Sequence, residues 1–170
     1  MAKVATALGP AYSTVLNAGS LIAGTYSLHG PGGTQVGGFD TSVLFPGSFN
    51  ATNWNSITLI DRTQPLTFTW TGTSIDQVTI VVSTAVVANG TQHISTLNCT
   101  VPGAPGTYTI PTAALATLSP VAATGASFGS MSLQGITVRG TFTANLTAGG
   151  QTDIGTFQGG IGVAKNVAVQ

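Results

Sequence analysis

Glutamate is absent from this chain. The whole ionic inventory is Lys3, Arg62, Arg139 and Lys165 against Asp40, Asp61, Asp76 and Asp153, with His29 and His93 besides. Charged residues make up 5 % of the sequence and the formal net charge is zero, where an average soluble domain is about 25 % charged. Four scattered cations cannot form the basic stripe that displaces counterions from a phosphate backbone, so nucleic-acid binding is set aside. A chain near zero charge also lacks the repulsion that keeps copies apart, which favours self-association or attachment to a surface.

Cys99 is the single cysteine, so no intrachain disulfide can form. With no adjacent cation to lower its pKa it reads as a small buried hydrophobe rather than a reactive thiol. No apolar run approaches the roughly 20 residues of a spanning helix, and no membrane insertion is expected. The start, MAKVATALGP, is too short and too weakly apolar for a signal peptide. The expectation is a chain that works outside the cell or on its surface after removal of a leader, with a cytosolic chain as the alternative. Disorder is excluded by 42 % apolar residues, since that content goes with a packed core. A chain of 170 residues suits one domain that buries most of its apolar surface.

Period two dominates what is there, and helical periodicity is almost missing. In RTQPLTFTWTGT, residues 62 to 73, Leu66, Phe68 and Trp70 alternate with Thr67, Thr69 and Thr71. The segment GITVRGTFTANLT alternates in the same way from Ile136 to Thr147, and Gly140 interrupts its apolar row. A glycine there suggests a bulge or bend where the strand passes from one sheet to another. Further strands are expected at TYSLHG, FDTSVLF, SITLI with Ile57 and Leu59 inward, and QVTIVV with Val78, Ile80 and Val82 inward. In STLNCTV the inward set is Leu97, Cys99 and Val101, which turns Asn98 outward; TYTI, SMSLQ, DIGTF and IGVAKNVAV complete the set. Breaks at GPGG, PG, NG, PGAPG and AGG recur at the spacing of an antiparallel sandwich.

The fold class is therefore all-β, an antiparallel β-sandwich of immunoglobulin-like or jelly-roll-like type. One Pro-led, Ala/Leu-rich stretch, PTAALATLSP, reads as a short helical crossover near 111–118. A single domain over 1–170 is expected, with a sub-boundary near 47–55. No repeat of fixed period occurs, which argues against a solenoid or propeller.

Four longer pieces carry a family resemblance: GTYSLHGPGGTQVGGF, NWNSITLIDRTQPLTFTWTGT, LNCTVPGAPGTYTIPTAALATL and GSMSLQG. Together they resemble the immunoglobulin-like β-sandwich domains found in secreted and surface proteins of Acidobacteria and related soil bacteria. The resemblance implies a sandwich and export. It brings no catalytic residues and no substrate.

Chemistry-bearing clusters are scarce. The two histidines stand far apart and no two aspartates come closer in sequence than Asp61 and Asp76, so no metal or cofactor is expected, although a calcium site of Asp and loop carbonyls stays open. Asp61 beside Arg62 reads as a surface or corner ion pair. No G-x-S-x-G elbow occurs, GPGGTQVGG reads as a turn rather than a phosphate loop, and no enzymatic activity is expected. Sequons at Asn50, Asn89, Asn98 and Asn145 mark surface positions for N-glycosylation.

The leading expectation is a non-catalytic extracellular structural or adhesive module, such as a filament or surface-layer subunit. It would associate with other copies through edge strands or through the alternating termini AKVATAL and IGVAKNVAVQ. An alternative is carbohydrate binding through exposed rings of Trp54, Tyr12 or Tyr108. A third is ice binding by the T-x-T rows.

Overall fold

The computed structural model describes residues 2–6, 9–13, 22–32, 37–45, 48–136, 140–145, 152–157 and 159–170, the first two of these stretches and 140–157 as backbone only. It is all-β and overwhelmingly antiparallel. The strands are β1 (Ala2–Thr6), β2 (Gly9–Ser13), β3 (Gly24–Gly30), β4 (Phe39–Phe45), β5 (Phe49–Ala51), β6 (Leu59–Ile60), β7 (Leu66–Gly72) and β8 (Gln77–Ala88). They continue as β9 (Thr91–Pro102), β10 (Thr107–Ile110), β11 (Phe128–Ile136), β12 (Gly140–Asn145), β13 (Thr152–Phe157), β14 (Gly160–Asn166) and β15 (Ala168–Val169).

Two sheets make the sandwich, a three-stranded sheet in the order β10-β7-β5 and a four-stranded sheet in the order β14-β11-β8-β9. The alternating rows do what their period dictates, because successive strand residues point to opposite faces. From β7, Phe68 and Trp70 are buried; from β8, Val78, Ile80 and Val82; from β11, Met131 and Leu133. Gly129 continues that inward row because a Cβ there would collide with the Val167 carbonyl. The expected inward set of β9, Leu97, Cys99 and Val101, is half-buried against this core, with Asn98 exposed. Trp70 completes its burial by donating from Nε1 to the Gly103 carbonyl at 2.8 Å.

A short helix, α1 (Thr112–Leu115), carries the chain from β10 to β11, and further turns reach Leu118. Leu115 and Leu118 are both buried. The expected crossover near 111–118 is thus present, and it connects one sheet to the other.

Two expectations need correcting. SITLI does not run as one strand with Ile57 and Leu59 inward: only Leu59–Ile60 is paired as a strand, Leu59 is exposed, and Ile57 and Ile60 are the buried pair. A 3-10 turn at Trp54–Ser56 replaces the first part of the strand, and the segment takes a non-local partner, β15, in parallel. IGVAKNVAV likewise is two elements, β14 antiparallel to β11 and β15 between β6 and Val121. Val167 and Val169 are both buried there.

Outside the sandwich, β1 pairs with β2, β3 with β4 and β12 with β13, each as an antiparallel hairpin. The β3–β4 hairpin runs beside β12 and β13 and holds a small cluster in which Tyr26 meets Phe45 edge-on at 5.9 Å. Strands β11 and β12 belong to different sheets, as a crossing near Gly140 requires, while residues 137–139 lie outside the described set.

Phe68 is fully buried, so Phe68→Ala is expected to cost about 3–5 kcal/mol. Thr71→Ala, on the opposite face of the same strand, should stay within about 0.5 kcal/mol of the parent in a urea melt.

Candidate interaction surface

The β8–β9 hairpin decides which backbone groups the sandwich leaves open. Its turn is Asn89-Gly90, with φ of 51° and 75°, the double positive φ of a type I′ turn that joins strands in two residues. Ala88 therefore faces Thr91 as the closing hydrogen-bonded pair, and bonded and non-bonded pairs alternate from there along the ladder. Three observations agree with this parity. Val87 turns its N–H away from β9 and donates to Ser127 Oγ at 2.9 Å. Gly103, just past β9, donates to the Asp76 carbonyl at 2.8 Å and so extends the odd-numbered bonded positions. The Ser83 and Thr96 hydroxyls meet at 2.9 Å, as side chains do in the closer, non-bonded pairs.

The consequence is that Gln92, Ile94, Thr96, Asn98 and Thr100 direct their N–H and C=O groups away from β8. Among the described residues no other strand pairs with that side. Strand β9 is 12 residues long, about 40 Å, and contains no Asp, Glu, Lys or Arg. Ile94 is 66 % exposed on it. Pro102 closes the strand at a non-bonded position, where its missing N–H faces outward as prolines of edge strands do.

The opposite edge is treated differently. Strand β14 runs close to β5 of the facing sheet. Its inward Lys165 donates from Nζ to the Trp54 carbonyl at 2.6 Å and lies 5.2 Å from the Trp54 ring centre. An inward charge on an edge strand opposes further strand addition.

The outer faces are lined by neutral groups that satisfy one another. Thr67 bonds Thr109 of β10 at 2.8 Å and Thr69 bonds Thr52, just past β5, at 2.6 Å, hydroxyl to hydroxyl. Asn53 acts as a one-residue substitute for a strand beyond β5. Its Nδ2 donates to the Thr67 carbonyl at 2.8 Å, and its Oδ1 accepts from the Thr69 N–H at 3.0 Å. That bracket lets the chain leave the sheet and send Trp54 inward.

The aromatic candidates separate accordingly. Trp54 is 9 % exposed and belongs to the core, which overturns its reading as an open ring for stacking on a sugar. Tyr108 is half-buried against the same core, and the Tyr12 side chain lies outside the described residues. The sequon residues Asn50, Asn89 and Asn98 are exposed; Asn145 is described by backbone alone. Asp61 and Arg62 do not form the expected ion pair. Asp61 accepts from the Thr63 hydroxyl and backbone N–H at 2.7 and 2.8 Å, bonds that hold its carboxyl below the ordinary value. Arg62 reaches instead to the Leu118 carbonyl at 2.9 Å. His29 Nδ1 and Asp40 Oδ1, from a directly opposed pair on the β3–β4 hairpin, share a hydrogen bond of 2.7 Å.

Among the described residues two concavities stand out. One of about 350 Å³ lies between the 71–76 and 103–106 loops, beside Ser74 and Asp76; Trp70 lines it but is 3 % exposed and presents no ring face. The other, about 270 Å³, is a shallow trough over Ser130, Ser132 and Ala164. Among the described residues no three His, Cys, Asp or Glu side chains gather into a metal-holding group, and no helix is long and apolar enough to cross a membrane. Compared with family models, curated proteins and solved structures, the chain matches none.

The residues of the free edge were not singled out from sequence, yet a signal for them exists. QVTIVVSTAVVA carries Val or Ala on both rows, as a central strand does, whereas TQHISTLNCTVP is largely polar on one row, mixed on the other and ends in proline. For the Asn53 bracket, Asn53→Ala is expected to cost about 2 kcal/mol, because two hydrogen bonds to β7 are lost. A urea melt checks it, and an unchanged midpoint would contradict the bracket.

Proposed function

We propose that this protein is a non-catalytic structural or adhesive module of the cell exterior that associates with other copies of itself through the free edge of β9. The observation that carries the reading is the row of outward-facing backbone groups from Gln92 to Thr100 on a long, uncharged strand. Native sandwiches usually blunt such an edge with charges, a bulge or a cover, and an edge left open is a template for another strand. Zero net charge supports the same reading, since nothing in the ionic inventory opposes approach of a second copy.

The C-terminal strand is spent within the chain, between β6 and Val121, so the association is assigned to an edge strand rather than to that terminus. Dispersal of the titratable side chains supports the non-catalytic part: His29 meets Asp40, Asp61 holds Thr63, and Lys165 covers Trp54. The exterior assignment draws on the neutral, hydroxyl-rich surface and on the resemblance to exported immunoglobulin-like domains. Glycan binding has lost Trp54 to the core and is not favoured.

Sedimentation velocity over a range of concentrations tests the reading. The parent protein should gain mass with concentration. Thr96→Pro removes an N–H that faces solvent in the single chain and should weaken association by about tenfold while leaving the fold intact. Thr96→Lys, which charges the edge without altering the backbone, should act in the same direction. A parent protein that remains monomeric at every concentration would end the proposal.

A further inference from the structure

The geometry points to one partner and one register for the free edge: a second β9, antiparallel, about a twofold axis through Thr96. The inference rests on the association proposed above and adds its symmetry and residue pairing. Outward-facing positions of one strand must meet outward-facing positions of the other, because only these have N–H and C=O groups to exchange. The outward positions are Gln92, Ile94, Thr96, Asn98 and Thr100, and they are symmetric about Thr96. Pairing Thr96 with Thr96, Ile94 with Asn98 and Gln92 with Thr100 satisfies every one of them. Sliding the strands toward Cys99 brings Pro102 into the ladder, where it has no donor. Sliding them the other way runs Gly90 of the tight turn into it.

The side chains fit the same register. On the outer face the pairs are neutral, and no like charges are brought together. On the inner face Leu97, Cys99 and Val101 are still half-exposed beside the core. Pairing sets them against Ser95, His93 and Thr91 of the second copy and extends their cover. Such a contact is isologous: each copy offers the same edge, and the edge is used up when two copies meet. It therefore makes a closed dimer with one continuous eight-stranded sheet, and β14 with its inward Lys165 stays at the two outer rims.

Disulfide trapping tests the register separately from association. His93 and Cys99 would be a directly opposed, non-bonded pair across the axis, with Cα atoms about 4.5 Å apart, inside the range a disulfide spans. Within one chain they are on one extended strand and too far apart to bond. His93→Cys with the native Cys99 should give a covalent dimer under mild oxidation, and peptide mass spectrometry should find residue 93 joined to residue 99. Thr96→Cys in a Cys99→Ser background should give the same dimer through a single bond on the axis, which guards against misfolding of the first variant. The inference is overturned if both variants sediment like the parent but do not cross-link, or if the parent itself links Cys99 to Cys99. It is also overturned if cross-linking gives species larger than a dimer. A parent protein that stays monomeric overturns this inference and the broader proposal together, whereas a parent that associates while neither variant cross-links overturns the register alone.

Discussion

The register of the β8–β9 hairpin is the constraint on which the rest depends. Strand β8 is flanked by β9 on one side and β11 on the other, so its pleat sets the facing of the whole four-stranded sheet. With Ala88 closing on Thr91 across Asn89-Gly90, Val78, Ile80 and Val82 point inward, and Leu133 of β11 stands opposite Ile80. A slip of one residue would turn every one of these side chains to solvent. The same turn also fixes which amides of β9 face outward. Core and open edge thus have one cause, and neither can be changed without the other.

Scarcity of charge shapes how the surface is finished. With four cations and four anions in 170 residues, hydroxyls and amides have to provide most of the polar cover. They do so largely in mutual pairs, as Thr67 with Thr109, Thr69 with Thr52 and Ser83 with Thr96. The few charges are placed where they do particular work. Lys165 closes the Trp54 corner at the β14 edge, and Asp61 holds the turn at Thr63. None is spent on β9. Asymmetry between the two rims of one sheet leaves open backbone groups along β9 among the described residues, while an inward lysine marks β14.

Much of this architecture was legible because burial follows a strict alternation wherever a strand has one face on the core. FDTSVLF, LTFTWTG and QVTIVV read correctly for that reason, and TYTI and SMSLQ with them. What could not be read was set by partners distant in sequence. Ile57 and Ile60 are three apart because Asn53 brackets β7 and β15 pairs with β6 in parallel, and neither contact leaves a local period. Trp54 sits in an Asn-rich stretch that looks like an exposed loop, but its carbonyl and ring are met by a lysine 111 positions away. The edge itself lay between these cases. The NG turn and the two strands were visible, while the freedom of β9 depends on the strand order.

Residue-resolved amide hydrogen exchange at low and high protein concentration tests the central claim most directly. The odd-numbered amides of β9 should be protected throughout, since they bond to β8. Those of Gln92, Ile94, Thr96, Asn98 and Thr100 should exchange freely in dilute solution and become protected as concentration rises. Even-numbered amides that remain open at every concentration would contradict the account.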